Sequence, residues 1–114
     1  MSFDALVANA GRLTILTELA VEERQEFVDL RRRTRLTDGN LASHARRLQS
    51  AGLIDIDKQF RDGKPVTSFT LTHTGRAALE EHARQLLAAV GVAPREARPE
   101  PITSIPQPSD EWID

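Results

Sequence analysis

The sequence predicts a mainly α domain with one β-hairpin, an α+β fold. Apolar residues recur at helical spacing through residues 9–50, the period switches to two between 53 and 71, and it returns to the helical one from 73 to 90. A chain of 114 residues is one domain's worth, long enough for a single hydrophobic core.

The first helix is expected over 9–20. Leu13, Leu16 and Ala20 hold one stripe, Ile15 and Leu19 widen it, and Asn9 suits the N-cap. Phe3, Leu6 and Val7 suggest a short helical lead-in. Val21-Glu22-Glu23-Arg24 reads as a polar break. A shorter helix follows over 25–34, with Phe27 and Leu30 inward and Arg31, Arg32 and Arg33 at its end. Thr37 is an N-cap for a third helix, since its hydroxyl can accept an orphan backbone N–H, and Asp38 suits the positive end of the helix dipole. Leu41, Ala45 and Leu48 form its buried stripe, and Gly52 fits the left-handed position that ends it.

Leu53 to Phe60 then alternates, with Ile54, Ile56 and Phe60 on one face. Arg61-Asp62-Gly63-Lys64-Pro65 is a turn by composition, and Val66 to Leu71 is a second strand with Phe69 and Leu71 on its core face. Thr72 caps a long helix over 73–90, where Leu79, Ala83, Leu86 and Val90 form a stripe with Leu87 beside it. Gly75 sits near the helix start, where glycine is tolerated, and Gly91 ends the helix. From Ala93 the composition shifts: five of the six prolines fall at 94, 99, 101, 106 and 108. The organisation expected is a domain over 1–92 and a proline-rich acidic tail over 93–114, extended or disordered. That tail either aids solubility alone, or shields the basic segment and anchors through Trp112 and Ile113.

Charge is unevenly spread. The net formal charge is −2, yet residues 31–64 carry nine cations against four carboxylates, between two acidic ends. A localised polyanion site looks like this, and so does a solvated charged face. Composition excludes several classes. Without cysteine there are no disulfides or thiolate metal sites. No apolar run approaches the roughly 20 residues of a membrane span, and the N-terminus lacks the pattern of a secretory signal, so a cytoplasmic protein is expected. With 4% aromatics there is no stacking platform for single strands.

Helix, helix, helix, hairpin, helix is the order of a winged helix-turn-helix, with the third helix as recognition helix and the hairpin as wing. The basic segment spans the three places such a domain presents to DNA. Leu36-Thr37-Asp38-Gly39-Asn40-Leu41, Leu48-Gln49-Ser50-Ala51-Gly52-Leu53-Ile54 and Leu71-Thr72-His73-Thr74-Gly75-Arg76 together resemble the MarR/ArsR-type winged helix-turn-helix regulators, over about residues 8–90. The likeness is to short single-domain members whose recognition helix starts LTDGNL. It implies a homodimer on a pseudo-palindromic operator, repressing transcription. Ala45 departs from the large apolar residue usual in that family, which implies either looser packing beneath the recognition helix or compensation by a neighbour, and His73 stands where Pro is frequent.

The candidate DNA-binding residues follow from position. Arg31, Arg32, Arg33 and Lys64 suit phosphates. Asn40, Ser43, Arg46 and Arg47 suit base edges or adjacent phosphates in the major groove, with Thr37 and Asp38 at the helix start. Arg61 at the wing tip suits the minor groove or a phosphate. The competing class is a protein-binding winged helix, which should expose apolar residues on the recognition face. Catalysis finds little support: Ser43 and His44 are adjacent on a helix and do not face each other. His73 and His82 are too far apart on one helix to share a metal within one chain, which leaves only a site between protomers, and Asp38-Gly39-Asn40 lacks the later ligands of a calcium loop. No enzyme activity, cofactor or metal is expected; any small-molecule effector is unknown. A homodimer is expected because Ile15, Leu19, Leu79, Leu86, Leu87 and Val90 exceed what a small core can cover.

Overall fold

The computed structural model describes residues 4–91. The expectations for Phe3 and for the 93–114 tail lie outside those residues. The elements are α1 (Asp4–Ala8), α2 (Ala10–Val21), β1 (Arg24–Glu26), α3 (Phe27–Thr34), α4 (Asp38–Ser50), β2 (Ile54–Arg61), β3 (Lys64–Leu71) and α5 (His73–Ala89). The chain falls into two units. Met1–Ala83 holds the core; of Arg84–Asp114 the described part is the last turns of α5 and the left-handed Gly91.

The caps sit where the sequence places them. The Asn9 side chain accepts from the Arg12 N–H at 3.1 Å, and the Thr37 hydroxyl from the Asn40 N–H at 3.1 Å. α3 ends on Arg35, a non-glycine residue at φ 62°, and α4 ends into Gly52 at φ 80°. The hairpin closes on Asp62 and Gly63, both at positive φ, with Arg61 opposite Lys64. Two central residues of that conformation match the twist of the strands.

Four expectations need correction. The polar break contains a strand. β1 pairs antiparallel with β3, Gln25 opposite Phe69, and the sheet has three strands in the order β1-β3-β2. Gln25 is buried, and its amide donates to the carbonyls of Glu18 and Glu22, so α3 begins at Phe27 rather than at 25. Phe60 lies on the expected strand face but is 78% exposed, because core cover along that face reaches only to Ile56. Ile15 and Leu19 are fully buried, since α2 is the central helix and touches α1, α3, α4 and β3. They are therefore not surplus apolar surface; Leu86, Leu87 and Val90 are exposed. Gly75, last, is required rather than tolerated. A Cβ there would stand 1.9 Å from the carbonyl oxygen of Leu53.

The core joins Val7, Ile15, Leu16 and Leu19 to Leu30, Leu41, Ala45, Leu48, Leu53, Ile54, Phe69 and Leu71. Phe27 stacks obliquely on Phe69, ring centroids 5.9 Å apart. Thr72 binds both ends of the next connection: its hydroxyl donates to the Gly52 carbonyl at 2.7 Å and accepts from the Gly75 N–H at 2.9 Å. The start of α5 is thereby fixed to the end of α4.

Candidate nucleic-acid interface

α4 presents its polar residues in two stripes. Leu41, Ala45 and Leu48 bury one side of the helix, and everything opposite them is available. Asn40, Ser43 and Arg47 recur at i, i+3 and i+7, so they share one exposed stripe. Arg46 belongs to the neighbouring stripe with Ala42 and Gln49, which turns toward the sheet. A groove of about 510 Å³ runs there, with Phe27, Ala45, Ile56 and Phe69 in its floor and Arg46 and Lys58 among its lining. The small side chain of Ala45 is among the residues lining that space.

Arginines that look alike in sequence differ in their surroundings. Arg31 pairs with Asp38 at 3.1 Å, Arg32 with Asp29 at 3.3 Å and Arg33 with Glu22 at 2.6 Å. Arg61 pairs with Glu26 across the sheet, and Arg24 with Asp57 at 3.0 Å. The hydrogen bond and charge of Glu22 raise the Arg33 pKa above its ordinary value. The hydrogen bond from Arg61 holds the Glu26 carboxyl below the usual glutamate range. These are solvent-exposed pairs, so their effect on stability is small. Their effect on the site is larger: an arginine already facing a carboxylate must exchange that partner for a phosphate. Among the described residues, Arg46, Arg47, Lys58 and Lys64 make no ion pair. Thr37 caps α4, and Asp38 spends its carboxylate on Arg31, which joins the end of α3 to the start of α4.

Lys58 and Gln49 join the lining of the groove beside α4 although no motif marks them. Both had a signal. Lys58 shares the strand face of Ile56 and Phe60, and Gln49 stands three residues after Arg46 on a helix whose other side is core.

His44 ties α4 to the helices beneath it. Its Nδ1 lies 3.4 Å from the Arg12 guanidinium, whose Nε donates to the Leu6 carbonyl. A guanidinium only donates, so Nδ1 accepts and the imidazole is neutral. Burial lowers its pKa below the ordinary 6.5, and the charges of Arg12 and Arg47 lower it further. The unfolded chain then binds a proton more readily than the folded one. Stability is constant above the ordinary histidine range and falls as pH drops below about 6.5. Urea midpoints measured from pH 7.5 to 5 are expected to fall, and His44→Gln to flatten that slope; an equal slope in the variant would remove His44 as its source.

A family model described as the winged helix DNA-binding domain matches residues 12–90. An uncharacterized protein of Methanocaldococcus jannaschii is 33% identical over 76 residues, covering 67% of this chain and 83% of that protein. The structure of a transcriptional regulator homologue from Pyrococcus horikoshii superposes with a TM-score of 0.71 at 29% identity, over 75% of this chain and 85% of that one. A MarR-family transcriptional regulator from Silicibacter pomeroyi shares the fold, with a TM-score of 0.55 at 19% identity over 82% and 66% of the two chains.

Proposed function

We propose that this chain, which belongs to the winged helix DNA-binding domain family, reads a specific double-stranded sequence as a homodimer and represses transcription in the cytoplasm. It is a DNA-binding protein of the transcriptional-regulator kind, similar in fold to MarR-family regulators, and within them we place it among the short members whose recognition helix opens with Leu36-Thr37-Asp38-Gly39-Asn40-Leu41. It acts by binding and not by catalysis. The observation that carries the reading is the exposed stripe of Asn40, Ser43 and Arg47 on α4, its arginine without an ion pair among the described residues, beside a wing that offers Lys64. A protein-binding version would expose apolar side chains on that stripe; this helix exposes an amide, a hydroxyl and a guanidinium. Asn can pair bidentately with adenine and Arg with guanine, and free lysines add salt-sensitive affinity through phosphates.

Dimerisation rests on α5. Leu86 is 56% and Val90 64% exposed, with Leu87 beside them, on a helix whose earlier Leu79 is partly buried on the core. A two-fold axis through such helices brings two recognition helices to successive major grooves, about 34 Å apart. Selection of bound duplexes from a random pool is expected to enrich a symmetric motif with half-sites one turn apart. Sedimentation at micromolar concentration is expected to show a dimer, and Leu86→Glu with Val90→Glu a monomer whose operator affinity falls at least tenfold. An asymmetric or absent motif would overturn the reading, and a wild-type monomer the dimer.

A further inference from the structure

The wing carries an aromatic ring beyond the reach of the core. Phe60 follows Ile54, Ile56 and Lys58 along one face of β2 and stands opposite Pro65 in register. Its exposure would be unremarkable on a random loop, but here the ring stands next to the tip of a hairpin closed by only two residues. The neighbouring Arg61 points to the opposite face and is held by Glu26. Lys58 shares the face of the ring, whereas Lys64, opposite Arg61 in register, stands at the tip on the other face; neither makes an ion pair among the described residues.

We propose that Phe60, backed by Pro65, is a wedge that enters the minor groove of the bound duplex and unstacks one base step next to the recognition-helix contacts. This rests on the DNA-binding reading above. The minor groove is about 6 Å wide and the two strands of a hairpin are about 4.8 Å apart, so the tip approaches edge-on and a protruding side chain enters first. Sequence alone favours Arg61 for that place. The structure disfavours it, because Arg61 faces away and is neutralised by a carboxylate. The ring is the group free to enter, and it gains by leaving water for a stack of bases. Lys58 is placed to hold a phosphate on the side of the ring, and Lys64 one beyond the tip on the other face. Apolar wedges of this kind partly unstack a step and kink the duplex toward the major groove. Pyrimidine–purine steps yield most easily, so the wedge also supplies specificity: TA or CA/TG is favoured at one flanking step in each half-site.

The test uses the full chain and duplexes selected from a random pool, with 2-aminopurine substituted singly at flanking adenines. Saturating protein is expected to raise the fluorescence several-fold at one step in each flank. Phe60→Ala is expected to abolish the rise and weaken binding about tenfold, and Phe60→Leu to keep part of both. Lys64→Ala should weaken binding yet leave the signal intact at saturation. A repeat selection with Phe60→Ala should lose the pyrimidine–purine preference. Bound duplex with flat fluorescence at every flanking position would overturn the wedge alone, as would an unchanged signal in Phe60→Ala, or a Phe60→Ala that alters only self-association. Failure to bind or enrich any duplex would overturn the DNA-binding reading and the wedge with it.

Discussion

Gly75→Ala is expected to lower stability by about 3 kcal/mol or more, a large part of the roughly 5–15 kcal/mol that holds a domain of this size together. The added methyl would overlap the carbonyl oxygen of Leu53 at 1.9 Å and the carbonyl carbon at 2.9 Å. No rotamer change relieves this, because the obstacle is main chain. The segment cannot simply move off either. The Leu53 carbonyl accepts from the Thr72 N–H at 3.1 Å, and the Thr72 side chain bonds both Gly52 and Gly75. Relief therefore costs the hydrogen bonds that join α5 to the end of α4. Gly11→Ala is the informative contrast. Its methyl would stand 2.6 Å from His44 Nε2, but an imidazole can rotate aside. Urea denaturation is expected to show a midpoint lower by about 1 M or more for Gly75→Ala, and a clearly smaller loss for Gly11→Ala. Equal midpoints for Gly75→Ala and wild type would show that the main chain yields easily at this junction.

What could be read in the sequence divides along a physical line. Features set by neighbours in the chain were legible. Thr37 announces the start of α4 because a cap needs only the next turn, and Asp62-Gly63 announces the hairpin because only such residues accept two positive φ angles. Features set by distant partners were not. β1 has three residues and no alternation to detect; it is a strand because β3 offers it an edge and because the buried Gln25 side-chain N–H groups find the carbonyls of Glu18 and Glu22. Gly75 lay inside a recognised motif, yet nothing nearby in sequence reveals that a carbonyl from the end of α4 presses on it. Surplus apolar surface was misjudged for the same reason. Ile15 and Leu19 look excessive on one helix and are buried because α1, α3, α4 and β3 all pack against α2.

The candidate interface follows the same rule. The polar stripe on α4 was legible, since helical period alone separates Asn40, Ser43 and Arg47 from Leu41, Ala45 and Leu48. The state of each arginine was not. Arg61 owes its partner Glu26 to the antiparallel pairing of β1 with β3, and Arg33 owes Glu22 to the packing of α3 on α2. From sequence the four arginines 31, 32, 33 and 61 are a basic cluster. In the fold each has a carboxylate in hand, and among the described residues of this segment the cations without an ion pair are Arg35, the two arginines of α4 and the lysines of the wing.

That pattern of pairing orders the expected effects on DNA binding. Arg47→Ala and Asn40→Ala are each expected to weaken the selected duplex by about tenfold to a hundredfold, and a random duplex far less. The reason is that both stand on the stripe opposite the buried one, where side chains reach base edges when the helix lies in the major groove. Lys64→Ala is expected to weaken selected and random duplexes alike and to reduce the salt slope by about one, because a flexible lysine at the wing tip meets a phosphate and no particular base. Arg33→Ala is expected to cost much less than Arg47→Ala. The guanidinium it removes is already bonded to Glu22 at 2.6 Å, so a phosphate contact there first has to break an existing ion pair. Glu22→Gln separates the two accounts of Arg33. If the pairing restrains Arg33, that variant binds random duplex more tightly at low salt, where freed charge is least screened. Titrations of the five variants on selected and random duplexes, at two salt concentrations, decide the order. Equal losses on both duplexes for Arg47→Ala and Asn40→Ala would remove them as base readers, and a loss at Arg33 as large as at Arg47 would mean that carboxylate pairing does not decide which arginines reach the DNA.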